Sequence, residues 1–183
     1  MKMRRLACWM AGVAALAAGI SSSALGASVK IQRHDVPVIY DEHVWTTSTD
    51  EEGVNFNCGA ESCGGKDAIC STYSEAPKAA DKAKEFFNLY IKEIMSIMVE
   101  EYEKQGNSPA VIDPPARTFD GGRFSDRASI RFVQNGATWR IWFAVIQEPF
   151  GVTVLNCSVD ESRFVASEPE LRKLANSLPA GRP

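Results

Sequence analysis

The side chains able to do chemistry in this 183-residue chain are five cysteines, two histidines and 23 carboxylates. Cys8 sits in an N-terminal apolar stretch, which leaves Cys58, Cys63, Cys70 and Cys157. Four thiolates could hold zinc, but structural zinc pairs usually sit two to four residues apart. Here four residues separate Cys58 from Cys63, six separate Cys63 from Cys70, and Cys157 lies far away. His34 and His43 lie beside Asp35, Asp41 and Glu42, but their separation fits no helical or hairpin ligand pair. They read as solvated loop residues. Glu51-Glu52 and Glu100-Glu101 read as solvated faces rather than a glycosidase pair. No G-x-S-x-G nucleophile motif occurs. Gly64-Gly65-Lys66 lacks the first glycine and the final Ser or Thr of a phosphate loop. The expectation is a protein that is not an enzyme and carries no cofactor and no metal.

The N-terminus sets the compartment and hence the use of the cysteines. Lys2, Arg4 and Arg5 precede an apolar run from Leu6 to Ile20, followed by three serines and Ala24-Leu25-Gly26. That order is a signal peptide over residues 1–26, with cleavage near Ala27. The apolar run is shorter than the roughly 20 residues a spanning helix needs. Cys8 stands at the start of the run, ahead of most of its apolar residues, so lipidation is rejected, and Arg4-Arg5 lacks the rest of a twin-arginine motif. A single exported domain over 27–183 is expected, in the periplasm or outside the cell, with no transmembrane anchor. Removing three of the 20 basic residues leaves 17 minus 23, a net charge of −6, and the whole chain carries −3. Neither value gives a basic footprint for nucleic acid.

In an oxidising compartment four cysteines imply two disulfides. Three pairings are possible, each joining Cys157 to one member of the cluster. The expectation is Cys58–Cys157 with Cys63–Cys70. Cys58 and Cys157 end strand-like runs, while Cys63 and Cys70 bracket a short loop.

The elements that must position these residues follow from periodicity. Residues 28–58 read as short strands, including Val36–Tyr40, Val44–Thr47 and Val54–Cys58. Residues 59–73 read as a glycine-rich loop holding cysteines. A helix is expected over 75–104, capped by Ser74 and ended by Gly106, with Ala83, Phe87, Tyr90, Ile94 and Met98 along its buried stripe. The stretch 108–115, with three prolines, reads as a connector, followed by a strand around Ala116–Phe119. Asn135-Gly136 is a strong hairpin signal. It pairs Phe132 with Trp139, Arg131 with Arg140, Ile130 with Ile141 and Ser129 with Trp142. A turn near Pro149-Phe150-Gly151 would then pair Phe143 with Leu155 and Ile141 with Cys157. Ser167-Glu168-Pro169-Glu170 reads as the capping box of a short helix with Leu171, Leu174 and Leu178 buried. The fold class is α+β: an antiparallel sheet packed by one long helix and a short C-terminal helix, with two disulfides.

Strands, a long helix, a meander and a terminal helix ending Leu174-Ala175-Asn176-Ser177-Leu178 resemble the PsbP/Mog1-like α/β/α sandwich group. That resemblance implies a non-enzymatic binding or chaperone-like module and transfers no functional residue.

The pairing of Arg131 with Arg140 leaves like charges facing each other, which repel. Trp142 shares their face. Either Trp142 and a carboxylate such as Asp126 or Glu161 offset the repulsion from within, or an acidic partner docks there, since Trp and Arg are enriched at interface hot spots. Arg131, Arg140 and Trp142 are the candidate binding residues. The leading expectation is an exported protein-binding module of inhibitor, immunity or envelope-assembly type. A periplasmic small-molecule or lipid carrier is the alternative, and a hydrolase with an unfamiliar site comes last.

Overall fold

Asn135 and Gly136 take φ of 53° and 79°, the positive values a two-residue hairpin turn requires. The ladder they close runs over ten residue pairs, from Gln134 opposite Ala137 to Ser125 opposite Ile146. The computed structural model describes residues 27–30, 37–49, 53–77, 80–120, 122–149 and 151–178. The expected signal peptide at 1–26, and His34, lie outside them. The strands are β1 (Ala27–Lys30), β2 (Pro37–Tyr40), β3 (Trp45–Thr49), β4 (Val54–Cys58) and β5 (Ile69–Glu75), followed by the helix α1 (Ala83–Lys104). Then come β6 (Ala110–Asp120), β7 (Arg123–Gln134), β8 (Ala137–Glu148), β9 (Gly151–Asp160) and α2 (Phe164–Ser177). Strands β3 to β9 form one antiparallel sheet in the order β3-β4-β5-β9-β8-β7-β6, and β1 pairs with β2 separately.

The β7–β8 register is as the sequence implies: Phe132 faces Trp139, Arg131 faces Arg140 and Ser129 faces Trp142. The β8–β9 register differs by one residue. Phe143 faces Asn156, Trp142 faces Cys157 and Ala144 faces Leu155. Only two residues lie between Glu148 and Gly151, which pair, so the turn is shorter than expected. Gly151 is needed there, because a Cβ would lie 2.1 Å from the Glu75 carbonyl oxygen on β5. A one-residue shift reverses every side chain on a strand. Leu155 and Cys157 therefore join Trp142, Ala144 and Ile146 on one face, while Val152 and Val154 join Ile141, Phe143 and Val145 on the other.

Both faces are consequently apolar, and both are covered. Phe87, Tyr90, Ile91, Ile94, Met95 and Met98 of α1 pack on Ile130, Phe132, Ile141 and Phe143. Phe164, Leu171 and Leu174 of α2, with Leu178 at its end, pack on Trp142, Leu155 and Val159. The result is a three-layer sandwich, with the long helix on one side and the short helix on the other.

Three further expectations are corrected. Residues 69–75 form strand β5, not loop and helix. Cys70, Thr72 and Ser74 alternate inward along it, but their small polar side chains give a weak strand pattern. The proline-bearing stretch forms the first part of β6, with register irregularities between Val111 and Asp113 and between Asp113 and Ala116. Proline is tolerated there because β6 is the sheet edge. Helix α2 starts at Phe164, so Ser167 is no cap. Its hydroxyl is buried and donates to the Arg163 carbonyl one turn back.

Two disulfides are present, but they join Cys58 to Cys63 and Cys70 to Cys157. Placing Cys70 on β5 explains the difference, because it lies directly opposite Cys157 on β9, with the Cα atoms 4.0 Å apart. Cys58 ends β4, and the chain returns through one turn of 3₁₀ helix at Glu61–Cys63 to meet it. Gly64 then turns with φ of 110°, where a Cβ would lie 2.7 Å from Val159 and 3.1 Å from the Ser167 hydroxyl. The small bridge thus holds its loop tightly against β9 and α2.

Candidate functional site

The paired arginines sit at the β7–β8 ladder, and the structure separates their environments. Arg140 is satisfied from within the chain. Its Nε donates to Glu161 Oε2 at 2.8 Å and its Nη2 to Glu161 Oε1 at 2.5 Å. Asp113 lies 3.6 Å from Nη1, and the guanidinium stands 4.4 Å over the Phe164 ring. These carboxylates, Glu161 first, raise the Arg140 pKa and fix its charge. Asp113 also accepts a hydrogen bond from the Ser129 hydroxyl. Arg131 is exposed. Trp142 is 3% exposed, packed beneath α2, so it is not part of any open surface. Its cationic neighbour is Arg127, 6.0 Å over the indole, rather than Arg140. The three expected binding residues therefore do not form one exposed face, because the β8–β9 register makes that face apolar enough to need α2. Glu161 acts as the bridging carboxylate for Arg140, whereas Asp126 serves Arg117.

The other candidate groups are held in structural roles. His43 stands in the turn before β3, and its backbone N–H donates to Asp41 Oδ1 at 2.9 Å. Lys104 bridges Glu101 at 2.9 Å and Glu100 at 3.7 Å. Among the described residues no three His, Cys, Asp or Glu side chains gather as a metal site. Burial first, then neighbouring Tyr73 and Glu75, pushes the Tyr90 phenol far above its usual range, so it stays protonated at neutral pH.

A different surface stands out at the β6–β7 hairpin. Phe119 and Phe124 face each other across the strands with ring centroids 5.0 Å apart, and they are 62% and 48% exposed. Two residues back, Arg117 forks onto the buried Asp126, with bonds of 2.8 and 2.9 Å, and lies 4.6 Å over the Phe87 ring of α1. Donating to the Asp126 carboxylate raises the Arg117 pKa. The clamp ties the hairpin to α1 and leaves the two phenylalanines projecting beyond it. The sequence reading missed this pair. Its signal was present in the placement of Phe119 and Phe124 on either side of Asp120-Gly121-Gly122-Arg123.

No protein-family profile matches the chain, and no curated protein matches its sequence. Among solved structures it is similar to the cyanobacterial PsbP (CyanoP) of Synechocystis sp. PCC 6803, with a TM-score of 0.56 and 13% identity. That similarity covers 88% of this chain and 95% of the other. A protein of unknown function from Pseudomonas aeruginosa, PA94, described as a putative regulator, aligns at a TM-score of 0.43 and 11% identity over 87% of this chain and 99% of its own. The PsbP-like fold is thereby shown, in agreement with the resemblance seen in the sequence.

Proposed function

We propose that the chain is an exported, non-catalytic protein-binding module of inhibitor, immunity or envelope-assembly type. The observation that carries this reading is the exposed Phe119–Phe124 pair, held on a rigid hairpin by the Arg117–Asp126 clamp. Contiguous exposed apolar surface marks interaction sites, and aromatic side chains are typical interface anchors. Two disulfides suit an oxidising compartment, and no described helix is long and apolar enough to cross a membrane. With the signal-like pattern of residues 1–26, these features support a periplasmic or extracellular address. An acidic partner suits the exposed Arg131, which lies at the other end of β7 from Phe124 and on the opposite face of the sheet. A carrier would need a cavity of several hundred Å³. Side chains of α1 and α2 instead interlock with both faces of the sheet, which favours a surface binder.

Affinity purification from a periplasmic extract tests this reading, with mass spectrometry of co-purified proteins and of extracted small molecules. A stoichiometric protein partner is expected, lost when Phe119→Ser and Phe124→Ser are combined. Recovery of a bound lipid or metabolite with no protein partner would overturn it.

A further inference from the structure

Strand β6 is an outer strand of the sheet, and its second half pairs regularly with β7 from Ala116 to Asp120. Asp120 faces Arg123 across the two-residue turn Gly121-Gly122, and the pair flanking such a turn exchanges both backbone hydrogen bonds. Alternation then turns the N–H and C=O of Thr118 toward β7, and those of Arg117 and Phe119 away from the sheet. Among the described residues no strand pairs with β6 on that outer side. An open edge of this kind is a template for a further strand. Pro114 and Pro115 lack an N–H and blunt the first half of β6. Residues 116–120 contain no proline, and the charge of Arg117 is committed to Asp126.

The flank of α1 above this edge is basic. Arg117 over Phe87 marks the side of the helix that faces β6, and Tyr90 beside Tyr73 marks the side that faces β5. With about 3.6 residues per turn, Lys84, Asn88 and Lys92 fall toward β6, and Glu93 and Glu100 toward β5. Lys84 and Lys92 are exposed and make no ion pair among the described residues. Glu85, on the same stretch of α1, is already bridged to Lys82 at 3.1 Å. A second copy of this chain would pair with the edge antiparallel, about a two-fold axis normal to the sheet. That symmetry sets two lysine flanks against each other on one face, a repulsion that an acidic segment avoids.

We infer that the open edge at 116–120 takes up an extended acidic segment of the partner protein as an added strand. The backbone of that segment pairs with Arg117 and Phe119, and its carboxylates lie beneath Lys84 and Lys92. Its apolar side chains on the same face pack against Phe119 and Phe124. The inference rests on the protein-binding reading and states how the partner is held: main-chain bonds supply the attachment, and the phenylalanines and lysines select the segment.

The test is amide hydrogen exchange in the isotope-labelled exported chain, with both disulfides formed. The probe is a peptide of two Glu-Thr-Val-Thr repeats, blocked at both ends, so that glutamate and valine share one face of the strand and threonine fills the other. The control peptide has lysine in place of glutamate. In the free chain the amides of Arg117 and Phe119 should exchange faster than that of Thr118. The acidic peptide at saturation should slow 117 and 119 at least tenfold and leave Thr118 unchanged, with a midpoint in the millimolar range. Lys84→Glu combined with Lys92→Glu should weaken that midpoint at least tenfold, whereas Lys173→Glu, on α2 at the other face, should leave it in place. Equal protection by both peptides, protection at neither amide, or a midpoint unmoved by the double lysine change would overturn the added strand. So would protection of 117 and 119 in the peptide-free chain that fades on dilution, which would assign the edge to a second copy. If Phe119→Ser with Phe124→Ser loses a protein partner from the extract while the peptide leaves 117 and 119 unprotected, this inference falls and the protein-binding reading stands. Peptide protection with no protein partner in the extract would leave the edge site standing while that reading falls.

Discussion

At one edge of the sheet β3 and β4 have five residues each, and their outer positions are threonine, serine and asparagine. At the other edge β6 and β7 have 11 and 12 residues and pair along nearly their whole length. The short edge buries little surface of its own beyond Trp45, Val54 and Phe56. It is secured covalently, by a bridge within its loop and by a second bridge from β5 to β9. The long edge has no bridge among the described residues. It is secured by its ladder and by the ionic fork of Arg117 on Asp126. The contrast separates stability from exposure. Because the long hairpin is held from behind, it can present Phe119 and Phe124 to solvent without losing its place.

The largest expected effect lies at the stapled edge. The Cys70–Cys157 bridge joins residues 87 apart, whereas Cys58–Cys63 joins residues five apart. Loop-closure entropy assigns roughly 4 to 5 kcal/mol to the first and about 2 kcal/mol to the second. Replacing each pair by alanines and measuring denaturant midpoints should therefore give the larger loss for Cys70 and Cys157. Equal losses would mean that the staple is not what holds this edge to the sheet. Non-reducing peptide mapping should return the Cys70–Cys157 peptide, and a Cys58–Cys157 peptide would break the comparison outright.

The arginine pair comes next in size. Arg140→Ala removes the fork onto Glu161 and the contact with Phe164, and should cost about 1–3 kcal/mol in urea melts. Arg131→Ala, on an exposed side chain, should stay within about 0.5 kcal/mol. If the two losses are alike, the internal clamp does not explain why like charges tolerate one another here.

Much of this division was legible in the residues. Asn135-Gly136 set the β7–β8 register to the residue, and Arg131 opposite Arg140 followed from it. The apolar stripe of α1 and the C-terminal leucines were equally clear. What escaped depended on distant contacts. Gly151 looks like a turn residue until Glu75 is placed against it, and with that contact the β9 faces reverse. Residues 69–75 bear few apolar side chains, so the inward alternation of Cys70, Thr72 and Ser74 shows only once β9 lies alongside. The disulfide pairing and the burial of Trp142 both depend on these two facts. The Phe119–Phe124 pair was readable locally, but its exposure was not, since α1 could have covered it.

Changes at the free hairpin should be nearly silent in stability. Phe119→Ser and Phe124→Ser together should shift the unfolding free energy by no more than about 1 kcal/mol, because exposed positions contribute little. A larger loss in thermal or urea melts would mean that the pair supports the hairpin rather than a partner. The smallest effect is expected at Asp160. The Ser162 hydroxyl first, then the Ser162 backbone N–H, hold its carboxylate below the usual range. That contribution is present above the ordinary carboxylate value and is lost as pH falls through the lowered one. Urea melts taken from neutral pH down to about pH 2.5 should show Asp160→Ala slightly less stable at neutral pH. Its further loss in acid should be shallower than that of the parent.

The protein-binding reading meets its most direct test in photo-cross-linking in the native host. A photoreactive phenylalanine analogue is placed at position 119 and, in a separate chain, at Val165, which is 81% exposed on α2. One discrete protein adduct at position 119, absent at 165 and abolished by Phe124→Ser, is the predicted result. Adducts of equal yield at both positions, or none at 119 while the exported protein is present and folded, would contradict it.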